Sequence, residues 1–157
     1  MQTFTSKDGT RLAYTVDDFT DPWTQPDTLL LLHAAMGNSR RWFKWVTPLA
    51  RRYRVVRMDL RGHGASQLPT EDQPFSLAHL VGDALELVDL LGVKSSHVVG
   101  NSAGGYVSQQ LAIHHPECVK TLALYGSTPG LKHSHALTWL PKVKEVGLKK
   151  FLADTID

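Results

Sequence analysis

The fold of this chain is decided by HVVGNSAGG at residues 97–105, where a serine stands between two glycines, each two positions away. The apolar run before the serine predicts a buried strand, and the pattern from Ala103 to His115 predicts a helix. So tight a turn requires small side chains at positions 100 and 104. It would present the hydroxyl of Ser102 beside the positive end of the helix, as a nucleophile requires. The same residues also fit a plain glycine-rich turn, so the segments around them decide between the two interpretations.

Composition and charge are those of a single globular domain. The 157 residues are 42% hydrophobic, which is enough for one core. A formal net charge of +2 gives no sign of a nucleic acid or membrane partner. The only cysteine, Cys118, excludes an internal disulfide and is typical of a reducing compartment. Because we find neither a secretory signal nor an apolar run long enough to span a bilayer, we predict a cytoplasmic protein.

The remaining patterns alternate between strands and helices. An Asp-Gly pair within residues 7–10 predicts a hairpin that joins Thr3–Ser6 to Arg11–Val16. Residues 28–32, TLLLL, lack polar alternation and predict a strand buried on both faces. Further strands are predicted at Tyr53–Met58, His97–Gly100 and Thr121–Tyr125, and helices at Ser39–Ala50, from an N-cap at Ser76 as far as Gly92, and from Pro141 onward. This order predicts an α/β fold with a mostly parallel, doubly wound sheet that carries helices on both faces.

Three loops rich in glycine and polar residues follow predicted parallel strands, at residues 33–38, 59–66 and 101–105. The carboxyl ends of such strands share one edge of a sheet, where function collects. The first loop, HAAMG at 33–37, resembles the His-Gly oxyanion loop of the α/β-hydrolase family. The second, DLRGHGAS at 59–66, is similar to that family's segment after the next strand, and GNSAG at 100–104 is similar to its nucleophile elbow. One such motif is weak, but three in family order are specific.

The resemblance implies a cofactor-free serine hydrolase of the esterase, lactonase or carbon–carbon-bond hydrolase kind, with a small-molecule carbonyl substrate. Ser102 would attack the carbonyl, and the amides of Ala35 and Ala103 would hold the oxyanion. The residues expected to support these motifs are His33, Asp59, Gly62, His63, Gly64, Gly100 and Gly104. We expect His33 to make structural hydrogen bonds beneath the oxyanion loop, Asp59 to anchor backbone N–H groups, and His63 to brace a turn. No metal site is predicted, because His133-Ser134-His135 is a weak pattern for one.

The chain departs from the family pattern in two places. Ala34 stands where the family has glycine, and its methyl group restricts the oxyanion loop. The family also places its acid and histidine after the serine, whereas His114, His115 and Glu117 fall at the far end of the helix that Ser102 begins. We therefore expect the acid and histidine from residues beyond this chain, in a hydrolase of about 250 residues, and an isolated chain that is inactive. Residues 1–130 would form the amino-terminal part of the core, and residues 131–157 the start of a lid.

An incomplete sheet would leave Thr121–Tyr125 as an apolar, unpaired edge, which is prone to aggregate. We expect a carboxyl-terminal piece, an exchanged segment or an oligomer to cover it. Two other functions stay open. The chain could be a ligand-binding or receptor module that has lost turnover, or a lyase or cofactor-free oxygenase that uses the same elbow.

Overall fold

The fold is described by a computed structural model, which covers residues 1–70, 75–129, 136–147 and 150. Contacts divide the chain into two compact units, Met1–Ser127 and Thr128–Asp157. The strands of the first unit are β1 (Gln2–Thr5), β2 (Arg11–Asp17), β3 (Thr28–Leu32), β4 (Arg54–Met58), β5 (Ser96–Asn101) and β6 (Val119–Tyr125). Its α-helices are α1 (Phe43–Leu49), α2 (Leu77–Leu90) and α3 (Ala103–His114), with 3-10 turns at Ser39–Trp42 and Pro116–Cys118.

The strands form one sheet in the order β1-β2-β4-β3-β5-β6. The pairs β1–β2 and β2–β4 are antiparallel, whereas β4, β3, β5 and β6 run parallel to one another. In this register Leu30 of β3 lies beside Val56 on one side and Val98 on the other. The mostly parallel α/β sheet is therefore confirmed, and the loops after β4, β3 and β5 emerge at one edge.

Helices pack on both faces of the sheet, as predicted. All five residues of β3 are buried, because successive side chains point to opposite faces and each face is covered. Leu30 and Leu32 pack against α2 and α3, whereas Leu29 and Leu31 pack in a second cluster with Trp42 and α1. The unbroken leucine run thus fills two cores at once.

One predicted helix start was wrong, and one predicted helix differs in the type of its first turn. The helix expected over Ser39–Ala50 spans Ser39–Leu49, but its first turn is a 3-10 helix, whose first amides donate to side chains outside it. The amide of Ser39 donates to Asp59 Oδ1 at 2.6 Å, and that of Arg40 donates to Asn38 Oδ1 at 3.0 Å. In the second unit α4 (Ala136–Val146) begins before Pro141, which lies inside it, since a helix can lose the one hydrogen bond that proline cannot donate.

The other predictions for the last thirty residues fall mostly outside the described part of the chain. His133, His135, Leu148, Phe151 and Leu152 all lie there. Within the residues that the structure describes, helices are too short or too polar to cross a bilayer.

Candidate active site

The loops that the sequence singled out are joined directly by hydrogen bonds. The amide of Gly104, in the first turn of α3, donates to the carbonyl of His33 at 3.0 Å. The loop after β4 meets the loop after β3 through the bond from the Ser39 amide to the Asp59 carboxylate. The three segments therefore form one contiguous edge of the sheet, as the parallel topology requires.

Ser102 occupies the turn between β5 and α3 in a conformation that L-residues rarely adopt. Its φ is +48° and its ψ is −111°, and such a backbone costs roughly 1–3 kcal/mol. Two hydrogen bonds, one to the last residue of β6 and one from the segment after it, hold it there. The Ser102 amide donates to the Tyr125 carbonyl at 3.0 Å, and the Ser127 hydroxyl donates to the Ser102 carbonyl at 3.1 Å. Ser102 is half-buried at the N-terminus of a helix, where a nucleophile is both reachable and close to positive partial charge.

Three glycines make this turn possible, for different reasons. A Cβ atom on Gly100 would lie 2.5 Å from the Gly104 carbonyl oxygen and 2.6 Å from Gly105 Cα, so the predicted collision across the turn exists there. A Cβ atom on Gly104 would instead overlap the carbonyl of Leu32, because α3 begins against the end of β3. A Cβ atom on Gly105 would overlap Ser127 Oγ. Sequence reasoning missed Gly105, although the Gly-Gly pair at the start of the helix was a signal of close packing.

The loop after β3, which the sequence analysis predicts to be the oxyanion loop, turns tightly. The Gly37 amide donates to the Ala34 carbonyl at 3.1 Å, and Met36 between them has a φ of +57°. Among the described non-glycine residues, only Met36 and Ser102 have a positive φ, so the methyl group of Ala34 adds no strain of this kind. The amides of Ala35 and Ala103 donate to no acceptor within the described part of the chain. Neither amide is therefore committed to an acceptor among these residues.

His33 lies beneath this loop as a buried, neutral side chain. Its Nδ1 donates to the Ala34 carbonyl at 2.7 Å, and its Nε2 accepts from the Leu60 amide at 2.9 Å. These two partners fix the tautomer. Burial lowers the pKa of His33 and outweighs the bond to Ala34, which raises it. Since both ring nitrogens are engaged, His33 positions the loop rather than moving protons.

Asp59 anchors the loop after β4. Its carboxylate accepts hydrogen bonds from the amides of Ser39 at 2.6 Å and Ala65 at 2.8 Å. Burial raises the pKa of Asp59, but these bonds lower it by more, so the carboxylate stays ionised. Gly64, with a φ of +58°, passes so close that a Cβ atom would overlap the Asp59 carboxylate.

The tip of the same loop packs against the histidine of the oxyanion loop. Gly62 turns the chain with a φ of +79°. His63 follows it, and its Nδ1 donates to the Arg61 carbonyl at 3.0 Å. The ring of His63 lies edge-on to His33, with centroids 5.3 Å apart. The second and first loops thus support each other below the candidate site.

Arg61 is a structural residue that sequence reasoning missed. Its Nε and Nη2 donate to the Asp83 carboxylate at 2.9 and 2.6 Å, and its Nη1 donates to Asp8 at 2.5 Å. The bonds to Asp83 and Asp8 raise the pKa of Arg61, and the bond to Arg61 lowers that of Asp8. An acidic residue on the otherwise apolar face of α2 was the available signal.

A cavity of about 270 Å³ adjoins the oxyanion loop and the elbow. Its described lining residues are His33, Ala34, Arg41, Trp42, Trp45, Asn101 and Tyr125. Ala34 and Asn101 immediately precede Ala35 and Ser102 in the chain, so the cavity opens next to the proposed nucleophile and oxyanion donor. Three of the seven are large aromatic residues, one is a cation, and none of those described is a carboxylate.

The described residues do not bring a base to the serine. The Ser102 hydroxyl makes no hydrogen bond to any described side chain. His114 ends α3 at the end opposite Ser102, and His115 lies 3.7 Å from Glu117. The described part of the chain also holds no group of three or more histidine, cysteine or acidic residues that could bind a metal ion.

A strained serine between a parallel strand and a helix, facing a turn after the neighbouring strand, is the arrangement of an α/β hydrolase. The profile of the alpha/beta hydrolase fold family matches residues 27–147, and the chain belongs to that family.

Individual relatives share the fold and differ in what they do. A hydrolase from Pseudomonas aeruginosa PA01 is 33% identical, with a TM-score of 0.83 over 98% of this chain and 55% of its own. The enol-lactonase from Burkholderia xenovorans LB400 is 28% identical, with a TM-score of 0.82 over 99% of this chain and 58% of its own. The dihydrolipoyllysine-residue acetyltransferase component of an acetoin cleaving system from Cupriavidus necator is 38% identical over 62% of this chain and 26% of its own. The chain thus spans little more than half the length of these solved structures.

Proposed function

We propose that this chain supplies the nucleophile and the oxyanion hole of a serine hydrolase that cleaves an ester, thioester or lactone bond. The observation that carries the proposal is the strained conformation of Ser102 at the start of α3, one hydrogen bond away from the oxyanion loop through Gly104 and His33. Strain of this kind persists only where the surrounding structure holds it. Family membership and a lactonase among the structural relatives support the same chemistry.

The proposed reaction needs no cofactor. Ser102 Oγ attacks the carbonyl carbon of the substrate while a base takes the hydroxyl proton. The oxyanion that forms is bound by the amides of Ala35 and Ala103, each worth roughly 3 kcal/mol of barrier. Collapse of this intermediate expels the alcohol or thiol with a proton and leaves an ester on Ser102. Water then attacks that ester, releases the acid and restores the serine.

The base and its orienting acid are proposed to come from outside the described residues. This follows from the Ser102 hydroxyl, which bonds to no described side chain, and from His114 and His115, which lie at the far end of α3. A hydroxyl without a base is a weak nucleophile at neutral pH, so the 157-residue chain by itself is proposed to be inactive.

Covalent labelling tests the proposal. The complete gene product that carries these residues is treated with a fluorophosphonate probe, and the labelled peptide is identified by mass spectrometry. We expect labelling on Ser102 and its loss in Ser102→Ala. Ser95→Ala is the matched control, because Ser95 precedes the same strand at its opposite end. Labelling that survives Ser102→Ala rejects the proposal.

A second candidate function is a ligand-binding module of the same fold that does not turn over its ligand. The absence of a base beside Ser102 among the described residues favours it. Saturable binding by the complete gene product, with no product released and no probe bound, would support this alternative.

We also propose that the β6 edge is covered in the working protein, by a carboxyl-terminal piece, an exchanged segment or a second copy. Leu124 and Tyr125 of this strand are 43% and 66% exposed. Within the described residues β6 pairs only with β5. An apolar strand with one free edge is a template for further pairing.

A further inference from the structure

The cavity beside the candidate site carries an unbalanced charge. Arg41 is the cation among its described lining residues, and no carboxylate lines it there. Two other arginines of this unit are paired, the partly buried Arg57 with Asp17 and the buried Arg61 with Asp83. Arg41 by contrast makes no ion pair with a described residue. Its guanidinium is therefore free to bind an anion that enters the cavity.

The Arg41 side chain is exposed, and its hydrocarbon stem lies against the loop at residues 33–37. Its Cδ lies 3.0 Å from the position that a Cβ atom on Gly37 would occupy, so its hydrocarbon stem covers that glycine. Its positive charge also contributes to the lowered pKa of the nearby His33, after the larger effect of burial. Because His33 is neutral, Arg41 sets the sign of the charge at this end of the cavity.

The rest of the wall suits a hydrocarbon chain. Trp42 and Trp45 meet edge to face, with ring centroids 5.3 Å apart, and Tyr125 lines the same space. Aromatic side chains offer a large apolar contact area at low entropic cost. A cation at one place and aromatic rings elsewhere match a molecule with one anionic end and an apolar body.

We propose that this site selects substrates that carry a carboxylate remote from the scissile carbonyl, with Arg41 as the residue that recognises it. The inference rests on the proposed hydrolase function of Ser102. It names Arg41 as a specificity-determining residue and predicts discrimination by charge, which falls as salt screens the interaction.

Two matched esters test the proposal on the complete gene product. The mono-para-nitrophenyl ester of adipate and the para-nitrophenyl ester of hexanoate have acyl chains of equal length and differ in the terminal carboxylate. We expect a higher kcat/KM for the adipate ester. Arg41→Gln should reduce that preference about tenfold, the effect typical of a lost hydrogen bond to a charged group.

Arg40→Gln is the control, since both arginines are exposed and carry the same charge, but Arg40 does not line this cavity. It should leave the preference unchanged, and Arg41→Lys should retain part of it. Equal losses for both esters in Arg41→Gln, or an equal effect of Arg40→Gln, would overturn the proposal.

A binding measurement separates this inference from the hydrolase proposal. In Ser102→Ala, tryptophan fluorescence reports binding of monomethyl adipate, with its neutral dimethyl ester as the comparison. Tighter binding of the monoester that is lost on adding Arg41→Gln supports the anion site even if no ester is hydrolysed, in which case the hydrolase proposal alone fails. Equal binding of both esters overturns the anion site even if Ser102 proves to be the nucleophile.

Discussion

The two edges of the sheet are built on opposite principles. At the β1 edge the hairpin turn is tied down by charge, because Arg61 joins Asp8 of that turn to the buried Asp83 of α2. At the β6 edge apolar side chains face outward, with Leu124 43% and Tyr125 66% exposed. Among the described residues each edge strand pairs on one side only, but the turn after β1 is fixed by ion pairs, whereas β6 presents apolar side chains.

This difference indicates which edge of the sheet is stabilised by contacts within the chain. Ion pairs within the chain specify one arrangement of the hairpin turn, whereas an edge strand that also presents apolar side chains invites further pairing. The candidate site lies between the two edges, after β3 and β5. Its serine is held by the amino-terminal loops on one side and by the end of β6 on the other. We therefore expect the conformation of Ser102 to depend on both edges of the sheet.

Breaking the charged edge should have the largest effect. Arg61→Met leaves Asp83, whose side chain is 2% exposed, as an unpaired buried carboxylate. We expect a loss of about 3–5 kcal/mol in the free energy of unfolding, measured by urea denaturation. The double variant Arg61→Met with Asp83→Leu should recover part of it, since no buried charge remains. A loss below about 0.5 kcal/mol, as for a surface substitution, would remove the contrast between the edges.

Between the two edges, the packing of α3 against β3 is tested by the same glycine-to-alanine substitution in two helices. In Gly104→Ala the new Cβ atom overlaps the Leu32 carbonyl, and we expect a loss of about 2–3 kcal/mol as α3 moves away from β3. In Gly82→Ala of α2 the Cβ atom meets nothing within 4 Å, so the change should stabilise by about 0.5–1 kcal/mol. Thermal unfolding of both variants measures the difference. Effects of the same sign would show that close packing against β3 does not decide the identity of residue 104.

Much of this architecture follows from local sequence pattern. The leucine run of β3 lacks polar alternation and therefore predicts a strand buried on both faces. The structure confirms this prediction, because each face of β3 packs in a separate cluster. The N-cap at Ser76 and the end of α2 before Gly92 are also confirmed, with a φ of +66° at that glycine. These features depend on residues close to one another in the chain, which is what periodicity and capping rules describe.

What the sequence could not predict depends on contacts between distant segments. Asp83 looks like a defect in an apolar helix face until the fold brings Arg61 to it, 22 positions away in the chain. The sequence predicted a small residue at position 104 because of its closeness to Gly100 across the turn. In the structure this residue must be small because it approaches the end of β3. The position of Arg41 on the cavity wall likewise requires the turn at Gly37. The roles of Ser102, Ala35 and Ala103 stay predictions.

The apolar edge gives the next largest expected effect. Leu124→Lys places a charge on the exposed strand, and we expect self-association of the 157-residue chain to weaken by more than tenfold, as loss of one buried leucine implies. Sedimentation velocity over a range of concentrations measures it. Leu90→Lys is the control, because Leu90 is 56% exposed on α2, away from the edge. Equal responses of the two variants, or a wild-type chain that is monomeric throughout, would contradict a self-associating edge.

The smallest expected effect tests whether His33, at the centre of the sheet between the two edges, is shielded from water. Burial lowers the pKa of His33 in the folded protein, so between its ordinary value near 6.5 and the lowered value the unfolded chain binds a proton that the folded chain does not. Stability should therefore fall as pH drops below about 6.5, by at most about 1.4 kcal/mol per pH unit from this group, and the fall should end below the folded pKa. Urea denaturation from pH 7 to pH 5 measures the slope, which His33→Gln should reduce because glutamine does not titrate. The other histidines are present in both proteins, so the difference in slope reports on His33 and on its contact with His63. An unchanged slope would mean that water reaches this ring, and that the oxyanion loop rests on a more open support than its two hydrogen bonds imply.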